Sequence, residues 1–163
     1  MANEKPAHNV MLSPYCIDLH EVTLADYKSC SDNGDCKRAW AVVDWPDIED
    51  KQKKLYTPLC NVNDPEGKAQ HPVNCVDWQM AVTFCEAKKK RLPTEAEWEF
   101  AARGGRLGLR FPWAPEPAPT CTHAVMAGGA GGRCPTDSTS EVDALAPDGQ
   151  NRVFWIEHMA GNV

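Results

Sequence analysis

The stretch Arg91-Leu92-Pro93-Thr94-Glu95-Ala96-Glu97-Trp98-Glu99-Phe100-Ala101-Ala102-Arg103-Gly104-Gly105 constrains the local fold more tightly than any other part of this chain. Thr94 stands where a helix N-cap should, and Glu97, three residues on, can return its carboxylate to the cap's own N–H. Pro93 stops an earlier helix from running through. Glu95 and Glu97 suit the positive end of a helix dipole, and Arg103 suits the negative end. Gly104-Gly105 supply the left-handed residue that helix stops favour. Trp98, Ala101 and Ala102 fall at i, i+3 and i+4 and predict one narrow apolar stripe. A short, punctuated, amphipathic helix is the result.

Two more helices follow from the same local rules. Thr23 is a cap for a short helix through Tyr27 to Cys30, with Asp26 at the capping-box position. Asp77 caps another, with Trp78, Ala81, Val82 and Cys85 on one face, ending near Lys90. Residues 9–18 have strand-like content. Residues 31–70 are rich in Pro, Asp, Asn and Lys and predict loop with at most single helical turns. From Phe111 to Gly149 the composition is Pro, Gly, Ala, Ser and Thr. Its run Gly128-Gly129-Ala130-Gly131-Gly132 reads as a loop tip, because no Gly-Lys-Ser/Thr follows to make a phosphate loop. Val153-Phe154-Trp155-Ile156 predicts a core strand. No internal repeat is visible.

With 163 residues the chain suits one domain with a real core. It carries 23 acidic against 17 basic residues, net −6, so no nucleic-acid footprint is expected. The basic run Lys88-Lys89-Lys90-Arg91 reads as a solvated helix end. No apolar run approaches the roughly 20 residues of a membrane span. Met1 to His8 show no signal-peptide core.

The eight cysteines sit uneasily with that missing signal. They have neither Cys-x-x-Cys nor finger-type spacing, so structural zinc is not expected. An even count scattered through loop-rich sequence reads as a disulfide framework of an extracellular, periplasmic or secretory compartment. The candidates are Cys30, Cys36, Cys121, Cys134, Cys16, Cys85, Cys60 and Cys75. Proximity in sequence favours Cys30–Cys36 and Cys121–Cys134. Cys85 faces inward by spacing, and both a buried thiol and a bridge to Cys16 remain open. Cys60 and Cys75 have no partner assigned.

The signature string as a whole closely resembles that of the formylglycine-generating enzyme, or sulfatase-modifying factor, family. The resemblance extends upstream to His71-Pro72-Val73-Asn74-Cys75-Val76-Asp77-Trp78 with Phe84-Cys85, and to Tyr15-Cys16-Ile17-Asp18 with Glu21-Val22-Thr23 and Tyr27. Downstream it takes in Phe111-Pro112-Trp113 and Met159-Ala160-Gly161-Asn162-Val163. It implies an α+β fold, the family's variant of the C-type lectin-like fold, loop-rich, with short helices and little regular sheet. It also implies that residues 1–163 are a partial domain, lacking a first strand and the C-terminal catalytic third.

Enzymes of that family convert a sulfatase cysteine, within Cys-x-Pro-x-Arg, to Cα-formylglycine with copper(I) held by a cysteine pair. Soft thiolates suit that ion. The resemblance places the pair beyond Val163, so no catalytic or cofactor residue is assigned here. A family calcium site falls on His158, Gly161 and Val163, where His158 is a poor ligand for a hard ion. A second meets no match at Thr122-His123-Ala124-Val125. No cofactor, copper or calcium, is therefore expected for this chain. Ala114 replaces the family's usual glycine after Pro112-Trp113. His71 and His123 read as loop or packing residues, Asp18 and Glu21 as local hydrogen-bonding groups, and at least three of Trp78, Trp98, Trp113 and Trp155 as core.

The reading favoured by these residues is a non-catalytic binding or scaffold module, or an incomplete fragment, with a protein or glycan partner and no membrane span. The alternative is part of a copper-dependent oxidase. The family's sulfoxide-synthase branch ranks last, since its iron-binding helical domain has no counterpart here.

Overall fold

A computed structural model of the chain describes residues 9–113, 120, 124, 139, 141–142 and 154–160. Four α-helices carry the architecture: α1 (Leu24–Asp32), α2 (Asp50–Tyr56), α3 (Trp78–Ala87) and α4 (Glu95–Ala102). Single 3-10 turns lie at Thr57–Leu59, Asn61–Asn63 and Gly105–Leu107. Among the described residues the only β pairing is one antiparallel bridge, Thr23 to Pro72. Short helices joined by long loops, with little strand, make up the described residues.

Each expected cap is made. Thr23 Oγ1 accepts from Asp26 N at 3.0 Å, and Asp77 Oδ1 from Met80 N at 2.7 Å. At α4 the box is reciprocal: Glu97 N donates to Thr94 Oγ1 (3.3 Å) and Thr94 N to Glu97 Oε2 (2.8 Å). The first N–H groups of a helix have no partner inside it. At α1 a distant loop supplies two: Leu24 N donates to His71 O and Ala25 N to Ala69 O, at 2.8 and 2.9 Å. That loop is thereby fixed against α1.

α3 ends on a Schellman turn. Lys89 N donates to Glu86 O and Lys90 N to Cys85 O, at 2.9 and 2.8 Å. Lys89 takes the left-handed position, φ 56°, which a glycine would occupy without steric cost. At α4 the corresponding residue is Gly104, φ 67°.

The core forms where α1 crosses α3. Tyr27, Cys30, Cys36, Ala39, Met80 and Phe84 make one buried cluster, edged by Val22, Val62, Val73, Val76 and Cys85. Tyr27 and Phe84 stack with ring centroids 5.4 Å apart. Burying such a side chain contributes about 1.5–3 kcal/mol, and the ring pair adds about 0.5–1.5 kcal/mol.

Three expectations need correction. Residues 50–56 form a seven-residue helix rather than a single turn. Asp50 at its start and Lys53 and Lys54 in its last turn complement the dipole, and Gln52 Oε1 accepts from Glu49 N at 3.1 Å. The run near residue 155 is not a core strand in its described part. Trp155 takes a left-handed φ of 59°, breaking the extended path, so Ile156 is buried while Phe154 and Trp155 are exposed. Finally, only Trp113 of the four tryptophans is core, at 2 % exposure, against 71 % for Trp78, 46 % for Trp98 and 65 % for Trp155. In α3 the buried pair is Met80 and Phe84, which turns Trp78 outward. In α4 the buried residues are Glu97, Ala101 and Ala102.

Candidate functional site

A cleft opens between the segment 14–22, the α3–α4 connection with the first half of α4, and residues 156–160. Its walls mix Ile17, Val22, Leu92, Trp98 and Ile156 with charged side chains. Those charges are engaged with one another. Arg91 meets Glu97 in a two-pronged pair, Nη1 to Oε2 at 2.7 Å and Nη2 to Oε1 at 2.6 Å. Lys90 Nζ bonds both Asp18 carboxylate oxygens, at 2.7 and 2.8 Å. His158 Nδ1 lies 2.8 Å from Glu21 Oε2, and the His158 side chain is wholly buried. His20 Nδ1 lies 3.4 Å from Glu157 Oε2 and 3.2 Å from the Val142 carbonyl.

The Arg91 guanidinium, with the Thr94 N–H, holds the Glu97 carboxyl down at about 2. Tyr15 donates its hydroxyl to the Glu97 carbonyl at 2.6 Å. Burial, and then the nearby Glu97 charge, pushes that phenol up. The signature helix is thus tied both to its own approach and to the 14–22 segment.

Residues 157–158 join residues 19–21 through Glu157 N to Leu19 O, 2.9 Å. Trp155 and His158, both with positive φ, bound this short piece and turn Ile156 and His158 inward. The two His–carboxylate pairs were not apparent as pairs in sequence. The only local sign is the mirrored order His20-Glu21 and Glu157-His158. Asp18 and Glu21, read as local hydrogen-bonding groups, meet partners distant in sequence, Lys90 and His158.

The cysteines divide into three sets. Cys30–Cys36 and Cys60–Cys75 are disulfides, with Cα atoms 5.4 and 5.5 Å apart. Cys121 and Cys134 lie outside the described residues. Cys16, exposed, and Cys85, half-buried, are free thiols, so the bridge left open between them is not formed in this structure. Both line the cleft. Burial, then the Asp18 carboxylate, pushes the Cys85 thiol up, with Lys90 drawing it partly back.

His71 Nδ1 is 2.7 Å from Thr139 Oγ1, and burial followed by the Lys68 charge lowers its pKa. It packs a loop junction rather than the cleft. Gly161 and Val163, where the family's calcium site would fall, together with Thr122, His123, Val125 and Ala114, lie outside the described residues. His158, the remaining member, is turned to Glu21. Among the described residues no group of three or more His, Cys, Asp or Glu side chains is arranged to hold a metal ion. No described helix is long and apolar enough to cross a membrane.

Residues 1–163 match the Sulfatase-modifying factor enzyme 1-like domain, and the chain belongs to that family. It is 31 % identical to the formylglycine-generating enzyme of Mus musculus, a match covering 98 % of this chain and 50 % of the relative. It is 34 % identical to the serine/threonine-protein kinase Pkn1 of Chlamydia trachomatis over 68 % of this chain and 18 % of the kinase. A third relative, the inactive C-alpha-formylglycine-generating enzyme 2 of Mus musculus, is 32 % identical over 68 % of this chain and 43 % of its own length. The chain spans about half the length of the formylglycine-generating enzyme it matches.

Proposed function

We propose that this chain acts as a non-catalytic binding or scaffold module on the family's C-type lectin-like framework, and that it takes an extended polypeptide segment along residues 10–18. The observation that carries this reading is the main chain of that segment. It lies in no helix or turn, and among the described residues no backbone hydrogen bond joins residues 9–18 to another part of the chain. Unused main-chain N–H and C=O groups are a template for strand addition. It is flanked by the charged cleft on one side and, on the other, by an apolar groove reaching Phe100, Phe154 and Ile156. Grooves so placed would receive alternate side chains of an added strand.

The relatives support a module used in more than one setting. Two thirds of the chain aligns with a protein named an inactive formylglycine-generating enzyme, and as large a share with one named a kinase. A glycan partner is less well supported, since the cleft's charged groups are committed to one another. The two disulfides suit an extracellular or secretory setting. The second reading, part of a copper-dependent oxidase, draws on the match to the mouse enzyme across nearly the whole chain.

Short synthetic peptides of alternating apolar and polar residues test the binding reading through amide hydrogen exchange on the whole chain. Binding should slow exchange at residues 10–18, Pro14 excepted, by about tenfold or more. Peptides N-methylated at alternate residues should fail to do so. Absence of protection with every peptide at millimolar concentration would count against strand addition. Formylglycine appearing by mass spectrometry in a Cys-x-Pro-x-Arg peptide, after incubation with the chain and Cu(I), would establish the oxidase reading instead.

A further inference from the structure

The two free thiols among the described residues line one cleft, and the contact that ties their segments together is supplied by neither cysteine. Cys85 lies in the last turn of α3, and its carbonyl accepts the Lys90 N–H that closes the helix end. That reversal carries the Lys90 ammonium to Asp18, where it bonds both carboxylate oxygens. Cys16 lies two residues before Asp18. The Asp18–Lys90 pair therefore ties the segment bearing Cys16 to the helix end bearing Cys85. Both cysteines line the one cleft. The effects of Asp18 and Lys90 on the Cys85 thiol agree with this placement, because charge effects of that kind act at short range.

We infer that Cys16 and Cys85 are one thiol pair, which exchange with a small-molecule disulfide such as oxidised glutathione closes into a further intrachain bridge, fastening the 10–18 segment to the end of α3. Cys16 is the exposed member and reacts first. Its thiolate attacks one sulfur of oxidised glutathione, the glutathione S–S bond breaks, and one glutathione leaves as thiolate. Cys85, having lost its proton to solvent, then attacks the Cys16 sulfur of the mixed disulfide and displaces the second glutathione. Two cysteine thiols are oxidised, and one glutathione disulfide is reduced to two thiols. This pairing does not depend on the binding reading above.

Peptide mapping by mass spectrometry under non-reducing conditions, on the whole chain before and after oxidised glutathione, tests the assignment. A cross-linked peptide joining Cys16 to Cys85 is expected, two hydrogens lighter than the sum of its parts, with Cys30–Cys36 and Cys60–Cys75 unchanged. Cys85→Ser should leave Cys16 carrying one glutathione, trapping the first step; Cys16→Ser should leave Cys85 as a thiol that labels slowly. Both cysteines staying alkylatable, each carrying its own glutathione, or either one linked to Cys121, Cys134 or a second copy, would overturn the pairing. Slow hydrogen exchange at the α1 and α3 amides of the same sample certifies that the chain was folded.

Discussion

Around Tyr27 and Phe84 the chain is held by apolar burial, a ring stack and an adjacent disulfide, whereas across the cleft it is held by Arg91–Glu97, Lys90–Asp18, Glu21–His158 and His20–Glu157. Burial responds little to pH. Pairs between charged groups do, and exposed ones contribute little. The difference separates a framework from a surface that can adapt. The cleft side also keeps Trp98 and Trp155 partly or largely in solvent, while Tyr27 of α1 and Phe84 of α3 are buried. Segments of low local stability are where binding elements are normally found.

Breaking the apolar side should have the largest effect. Tyr27→Ala removes the ring that stacks on Phe84 and should cost about 3–5 kcal/mol, read as a lower denaturant midpoint at unchanged slope. A loss below about 1 kcal/mol would mean that this cluster is not the core. Next comes the covalent link. Replacing Cys60 and Cys75 together by Ala should cost about 3 kcal/mol for a loop of this length, with faster hydrogen exchange concentrated in residues 57–75.

The smallest effect at neutral pH, and the sharpest in pH dependence, belongs to the cleft side. Glu97 titrates at about 2 in the folded chain, against 4.5 ordinarily. A depressed carboxyl contributes stability that is fully present above its ordinary pKa. That contribution fades as pH falls from about 4.5 through about 2. Glu97→Gln should therefore flatten the acid limb of the stability curve in that window, measured by thermal unfolding at stepped pH. Tyr27→Ala should shift the curve without changing its shape there. Equal acid limbs in wild type and Glu97→Gln would remove the distinction between the two sides.

Helix starts were readable because a cap is a contract between residues three apart. Thr23, Asp77 and Thr94 each hold the N–H expected of them. Helix faces were less readable. Periodicity assigns Trp98 to the core with Ala101 and Ala102; the two alanines are buried, but Trp98 is half exposed, and it is Glu97, paired by the Arg91 fork and the Thr94 cap, that turns in beside them. The cleft itself left almost no trace in sequence, since Glu21 and His158 are 137 positions apart and only the turn of 155–158 brings them together.

By itself, then, the sequence determined the capped helices, the family and the existence of a cysteine framework. All of these rest on interactions between near neighbours or on residues in fixed order. Only the tertiary structure decided which face of α3 and α4 is buried, which carboxylate meets which cation, and that Cys16 and Cys85 share one cleft. Those outcomes depend on where chain reversals such as the left-handed Lys89 turn send the next segment. The signature helix fixes its own ends; the approach of residues 10–22 to it is set by Tyr15, Asp18 and Lys90 acting across the fold.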